Sequence, residues 1–282
     1  MASEGMSEPA RRAVAHVAAR SAGPALDPAL RVTLNFHPDR GEPPILAALA
    51  TAGVYRSQFV TGTSNGGLTA HPGGDRWRWE SRIFGGAYDS APAEERPVYG
   101  ALDFRGKHVG AAPRFGSAHF VLTAEAVERA TFCYPDSYLE PENFGVATAM
   151  DLIALALADT EADALDDYIE AQVHGPVRLD RDMEALVLDP CYQGTEVEVL
   201  AMKLPCRLEW HPGFRLTLEE MARHPDYRGL EFIELAREIA PADGLLTPRV
   251  IGEAAATGKY DPQALKRVWH YVARFGAPTS AA

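Results

Sequence analysis

Along DYIEAQVHGPVRL, residues 167–179, side chains alternate without a break. Tyr168, Glu170, Gln172 and His174 fall on one face of a strand, with Ile169, Ala171 and Val173 on the other. RVTLNFH repeats the design, setting Val32, Leu34 and Phe36 opposite Arg31, Thr33, Asn35 and His37. Period-two alternation predicts half-buried strands. Water alone accounts for either polar face, because antiparallel sheets commonly leave one face solvated. Two such faces turned into one cleft would instead bring His37, Glu170, Gln172 and His174 together.

Further strands are predicted at RPVYGALDF, GSAHFVLT, ERATFCYPDS, DMEALVLD and TEVEVLAMKL. Helices are predicted over about 10–20 and over 43–53, where PPILAALATAG opens with Pro and closes with Gly. Another is predicted over about 143–160, with Asn143 as its cap. After 215, LTLEEMARHPDYRGLEFIELAREIA and DPQALKRVWHYVARFG carry apolar residues at helical spacing. The expected class is α+β, with a mainly antiparallel sheet and flanking helices. The pattern divides into a helical segment at 1–28, an α+β domain at 29–214 and a helical C-terminal section at 215–282.

Residues 53–116 hold 12 of the 24 glycines, which predicts turns and close backbone approaches rather than long regular elements. Within this stretch Thr61, Thr63, Ser64 and Asn65 surround Gly62 and precede Gly66-Gly67. Such a turn can present N–H groups to an anion or a carbonyl. By spacing alone it reads equally as a hairpin whose hydroxyls bond their own backbone. No Gly-Lys-Ser/Thr follows, so it is not a Walker loop. Arg40, Arg56, Arg76, Arg78 and Arg82 are candidate anion partners, and Arg40, just after the first strand, is the best placed.

Charge narrows the functional classes. With 27 Lys+Arg against 39 Asp+Glu the chain carries a formal −12, which argues against duplex nucleic acid as a partner. No apolar run approaches the roughly 18 residues of a membrane span, and the N-terminal residues lack the apolar core of a secretory signal. Three cysteines without CxxC spacing fit a reducing cytoplasm better than a disulfide framework or a zinc site.

LNFHPDR, YRSQFVTGTSNGGLTAHPGGDR, WESRIFGGAYD, ERPVYGAL and PRFGSAHFVL together resemble an uncharacterised bacterial domain-of-unknown-function family, over roughly residues 30–215. A weaker resemblance runs through ERPVYGAL, FGSAHFVL, ERATFCYPDS and YIEAQVHGPVRLDRDMEAL, to the second half of ADP-ribosyltransferase-type domains of phage and toxin proteins. That resemblance implies a split mixed sheet with NAD bound in its cleft as substrate, and no metal. It implies a late-strand Glu, which is Glu170, and a Ser/Thr element in TGTSN, with Ser64 the catalytic candidate. The first-strand ligand residue is His37 or Arg40. Gln172 joins Glu170 in the catalytic set, and Thr63, Asn65, Gly66, Tyr168 and His174 are expected to touch the dinucleotide. Tyr168 stands where such domains usually carry Glu or Gln, and TGTS departs from their Ser-Thr-Ser. The acceptor is left open between a protein, a nucleic-acid end and water.

The chemistry suits these residues. Cleaving the nicotinamide–ribose bond builds positive charge on the sugar, as in glycoside cleavage. A carboxylate stabilises that charge more strongly in the transition state than in the ground state. Arg40 would then hold the pyrophosphate, and Tyr168 or a tryptophan would stack on the nicotinamide. Two other classes stay open. A metal-dependent hydrolase would draw on His37, Asp39, His71, Asp75, His119 and His174, which form no HExxH or comparable ligand motif. A non-catalytic binding or regulatory protein would use the apolar stripe of the C-terminal helices.

Overall fold

Both alternating stretches form strands, but neither polar face is an open, solvated one: Thr33, Glu170, Gln172 and His174 are buried. The computed structural model describes residues 5–62 and 69–278. In chain order the strands are β1 (Val32–Phe36), β2 (Val54–Tyr55), β3 (Val98–Leu102), β4 (Ala118–Leu122), β5 (Ala130–Tyr134) and β6 (Asn143–Val146). There follow β7 (Ile169–Val173), β8 (Val177–Arg178), β9 (Met183–Leu188), β10 (Arg207–Trp210), β11 (Leu216–Thr217) and β12 (Leu245–Leu246). The first six helices are α1 (Glu8–Ala18), α2 (Ile45–Ala52), α3 (Gln58–Thr61), α4 (Asp75–Ile83), α5 (Ala124–Glu128) and α6 (Leu152–Ala158). The last five are α7 (Glu196–Ala201), α8 (Leu218–Met221), α9 (Leu230–Ile239), α10 (Pro248–Ala256) and α11 (Pro262–Phe275). None is long and apolar enough to cross a membrane.

Eight strands make one sheet in the order β10-β9-β4-β1-β3-β7-β5-β6. Its neighbours are antiparallel except for the parallel pair β9 and β10, so the fold is α+β on a mixed, mainly antiparallel sheet. The middle is weakly joined. β1 pairs with β3 at Val32–Leu102 and Thr33–Ala101, after which β1 stays with β4 through Phe36 and β3 stays with β7 through Val98.

One face of the sheet carries Val32, Leu34, Phe36, Phe120, Phe132 and Ile169, all buried beneath α2, α5, α6 and α7. The opposite face has two separate covers. Over β5 and β6, α1 and α4 pack Val17, Trp79 and Ile83 against Cys133, Phe144 and Val146. Helix α4 buries Arg76, Trp79, Glu80 and Ile83, one stripe at helical spacing, and so lays two charged side chains on its inward face. The other cover is the C-terminal section, whose own apolar cluster centres on Phe214, Trp269 and Val272.

Three segments depart from the pattern-based expectation. The helix expected over 143–160 is a strand followed by a helix. Asn143 opens β6 rather than capping a helix, because Phe144 and Val146 bury under α1 when β6 pairs with β5, and α6 begins only at Leu152. TEVEVLAMKL is α7, not a strand. Glu196 and Glu198 sit in its first turn, where they favour a helix N-terminus, and Leu200 and Ala201 are buried. The glycine-rich stretch also contains α4, nine residues long.

Where β1 and β3 part, Gly100 has no room for a side chain. A Cβ there would lie 2.6 Å from Leu34 Cδ2 and 2.7 Å from the Thr33 carbonyl oxygen. Gly100→Ala is therefore expected to destabilise the protein by about 1–3 kcal/mol through overpacking, read as a lower urea midpoint at unchanged slope.

Candidate functional site

Between the two covers, above the loosely joined strands, lies a cleft of about 1200 Å³. Arg76 of α4, Tyr99 of β3, Glu170 of β7 and His37 after β1 all line it. So do Arg40, Ser137 and Tyr168, and α11 contributes Lys266, Arg267 and His270. Late-strand Glu170 and first-strand His37 and Arg40 thus share one cavity.

Glu170 is 6% exposed and firmly held. Its Oε2 accepts from Ser137 Oγ at 2.7 Å and from the Ser137 backbone N–H at 3.3 Å. Arg76 Nη1 donates to the same Ser137 Oγ at 2.7 Å and stands 3.8 Å from Glu170 Oε1. The Arg76 guanidinium lies over the Tyr99 ring, 4.0 Å from its centroid. Tyr99 in turn donates to Glu80 at 3.0 Å, and Glu80 pairs with buried Arg96 at 2.6 Å. Burial pushes the Glu170 carboxyl above the ordinary carboxylate range, and Arg76 and Ser137 pull the other way without cancelling it.

Gln172 and His174 do not line the cleft. Both are fully buried beneath α4 and the segment after it, and they belong to a hydrogen-bonded chain that ends on Glu170. Thr131 Oγ1 donates its single proton to Gln172 Oε1 at 2.8 Å. The His174 Nε2 contact at 2.9 Å must then donate to Thr131, leaving Nδ1 to accept from the Tyr88 hydroxyl at 2.7 Å. Gln172 Nε2 completes the run by donating to Glu170 Oε1 at 3.0 Å. His174 stays neutral because burial, with Arg129 nearby, lowers its pKa to about 3. The expected dinucleotide contact at His174 gives way to this internal place, since both ring nitrogens are engaged in a dry interior.

The polar face of β1 is likewise covered. Thr33 Oγ1 accepts from the Ala111 N–H at 2.9 Å, and Asn35 donates to the Val109 carbonyl at 3.0 Å. His37 sits edge-on to Trp269 at 5.1 Å, and burial, then Arg40, holds its pKa well below the usual value. Tyr168 lines the cleft, donates to Asp136 Oδ2 and packs edge-on against Phe115. Neither Trp77 nor Trp79 lines it. Thr63, Ser64, Asn65 and Gly66 lie outside the described residues; among the described residues the hydroxyl on Glu170 is that of Ser137. His37, Asp39, His71, Asp75, His119 and His174 do not gather: among the described residues no three metal-ligating side chains form a group.

Several buried polar atoms on the cleft lining have no hydrogen-bond partner among the described residues. They are Nε and Nη2 of Arg40, Nε of Arg76, Oε1 of Gln58 and both ring nitrogens of His270. Buried polar groups are nearly always satisfied, so these atoms are donors and acceptors that the lining holds available toward the cavity. Sequence reasoning ranked Arg76 low and passed over Ser137, Tyr99 and His270. Arg76 had a signal, since its i, i+4 spacing to Glu80 puts a cation and an anion on the apolar stripe of one helix. Ser137 had none, because its role depends on how the turn after β5 folds over β7.

No curated protein matches the chain. Two overlapping stretches, residues 31–162 and 157–274, match the family described as protein of unknown function (DUF3626). That match takes in both walls of the cleft, from β1 through α11, and the chain belongs to this family.

Proposed function

We propose that the protein consumes NAD, breaking the bond between nicotinamide and ribose and passing ADP-ribose to an acceptor or to water. The observation that carries this reading is a buried carboxylate, Glu170, pinned on two sides and facing a cleft that also holds the unpartnered guanidinium edge of Arg40. As the C–N bond breaks, its electron pair leaves with the nicotinamide nitrogen and positive charge grows on the ribose. An ionised Glu170 stabilises that charge and accepts a hydrogen bond from a ribose hydroxyl. The acceptor oxygen or nitrogen then bonds to the anomeric carbon and gives up its proton. Tyr99, half-buried on the lining, offers aromatic surface to the nicotinamide, and Arg40 offers donors to the pyrophosphate. The three cysteines are unpaired, and the reading takes the enzyme to work in a reducing cytoplasm.

Incubation with NAD, followed by chromatographic detection of nicotinamide, tests the reaction. Glu170→Gln keeps the shape and the Ser137 contact but turns an amide NH2 toward the donating Gln172 amide, so turnover should fall about 100- to 1000-fold with the fold kept and a modest drop in melting temperature. Chelator should leave the wild-type rate unchanged. NAD binding without release of nicotinamide would make the protein a binding module instead.

A pH profile tests the state of Glu170. Its pKa is raised, and the reaction needs the carboxylate. The rate should therefore be lost as pH falls through a point above the ordinary Glu range. Arg76 lowers that pKa, so Arg76→Gln should move the acidic limb to higher pH. An unmoved limb in this variant would separate Arg76 from the carboxylate's ionisation.

A further inference from the structure

Helix α11 belongs to the C-terminal section, yet it forms one wall of the cleft. Asp261 caps it, accepting from the N–H groups of Gln263 and Ala264, and Pro262 occupies its first position. Trp269 fastens it to the body: the indole N–H donates to the Pro113 carbonyl at 3.0 Å, and the ring meets His37 and Phe214 edge-on. Lys266 and His270, four residues apart, therefore fall on the same side of a fixed helix, and both line the cleft.

The chemistry of this wall is one-sided. In a chain with formal charge −12, Lys266 and Arg267 of α11 meet Arg40 and Arg114 at the same cavity. The four are close enough that Arg114, Arg267 and Arg40, after burial, lower the Lys266 pKa. Arg114 has a carboxylate partner in Asp166, whereas Arg40, with Asp39 beside it, keeps two buried nitrogens without a hydrogen-bond partner among the described residues. His270 lies among these cations, 1% exposed, with neither ring nitrogen hydrogen-bonded. Burial, then Arg114, lowers its pKa to about 3, so it is a neutral ring offering one donor and one acceptor.

We propose that Arg40, Lys266, Arg267 and His270 form a subsite for a phosphoanhydride, making the C-terminal helical section part of the ligand site rather than an appendage. The two buried Arg40 nitrogens and the His270 ring, without hydrogen-bond partners among the described residues, suit a ligand with several acceptor oxygens, and the neighbouring Lys266 and Arg267 suit one carrying at least two negative charges close together. A single carboxylate carries one. A pyrophosphate bridge supplies the charge together with a dense set of acceptor oxygens for guanidinium and ammonium donors. The proposal deepens the NAD reading by locating the dinucleotide's phosphates, and rests on that reading only for the identity of the nucleotide.

Calorimetric titration with inorganic pyrophosphate and with ADP-ribose tests the subsite without requiring turnover. Wild-type protein should bind both, and more weakly as salt is raised. Lys266→Ala and Arg40→Ala should each weaken binding at least tenfold with the melting temperature essentially kept, and Lys266→Arg should restore most of the loss. If pyrophosphate does not bind, or binds equally well to folded Lys266→Ala and Arg40→Ala proteins, the subsite is disproved. Pyrophosphate binding with these dependences but no release of nicotinamide from NAD would keep the subsite and overturn the NAD reading.

Discussion

The burial of a polar strand face is the constraint on which the rest of the structure depends. β7 sets Glu170, Gln172 and His174 inward, and each unpaired buried group would be penalised by about 1–3 kcal/mol. The fold meets this demand with an oriented chain from Tyr88 through His174, Thr131 and Gln172 to Glu170, each group donating to the next. Every link but the last is consumed internally. Glu170 alone of the series also reaches the cleft, held from the other side by Ser137 and Arg76. A carboxylate fixed in this way is oriented in advance toward whatever enters the cleft.

The loose seam between β1 and β3 and the two separate covers have a common consequence. A sheet paired fully through its middle and roofed by one continuous layer would have no cavity. Here α4 and α11 stand on different halves of the sheet, and their charged side chains meet at the cavity with different duties. Arg76 and Glu80 on α4 organise the carboxylate end, whereas Lys266 and Arg267 on α11 give the other wall a positive character against the acidic surroundings of the chain, with His270 a neutral ring among them.

The elements with a single period were legible. β1 and β7 follow their alternation, β3, β4, β5 and β9 form where strand-like segments are expected, and α2 follows its Pro and Gly punctuation, with Gly53 in the left-handed conformation at φ 67°. Residues 143–146 and 196–201 were not. Each fits two periods over a short window, and the choice fell to available partners: a free edge of β5 for Phe144 and Val146, and the flank of α2 for Leu200. At the site, Glu170, His37 and Arg40 could be nominated because they occupy an alternating strand or its end. Ser137 and His270 could not, because their positions depend on a turn and a helix brought in from 33 residues before and 100 residues after Glu170.

By itself the sequence determined that β7 has a polar face and an apolar face, that the chain is α+β, and that its last section is helical. These are local properties, written in side-chain period and punctuation. Only the tertiary structure decided that the polar face is covered, that Gln172 and His174 lie behind Glu170 rather than on the cleft, and that α11 forms one of its walls. Those outcomes depend on which distant elements cover which half of the sheet, and no local pattern encodes a contact between residues more than a hundred positions apart.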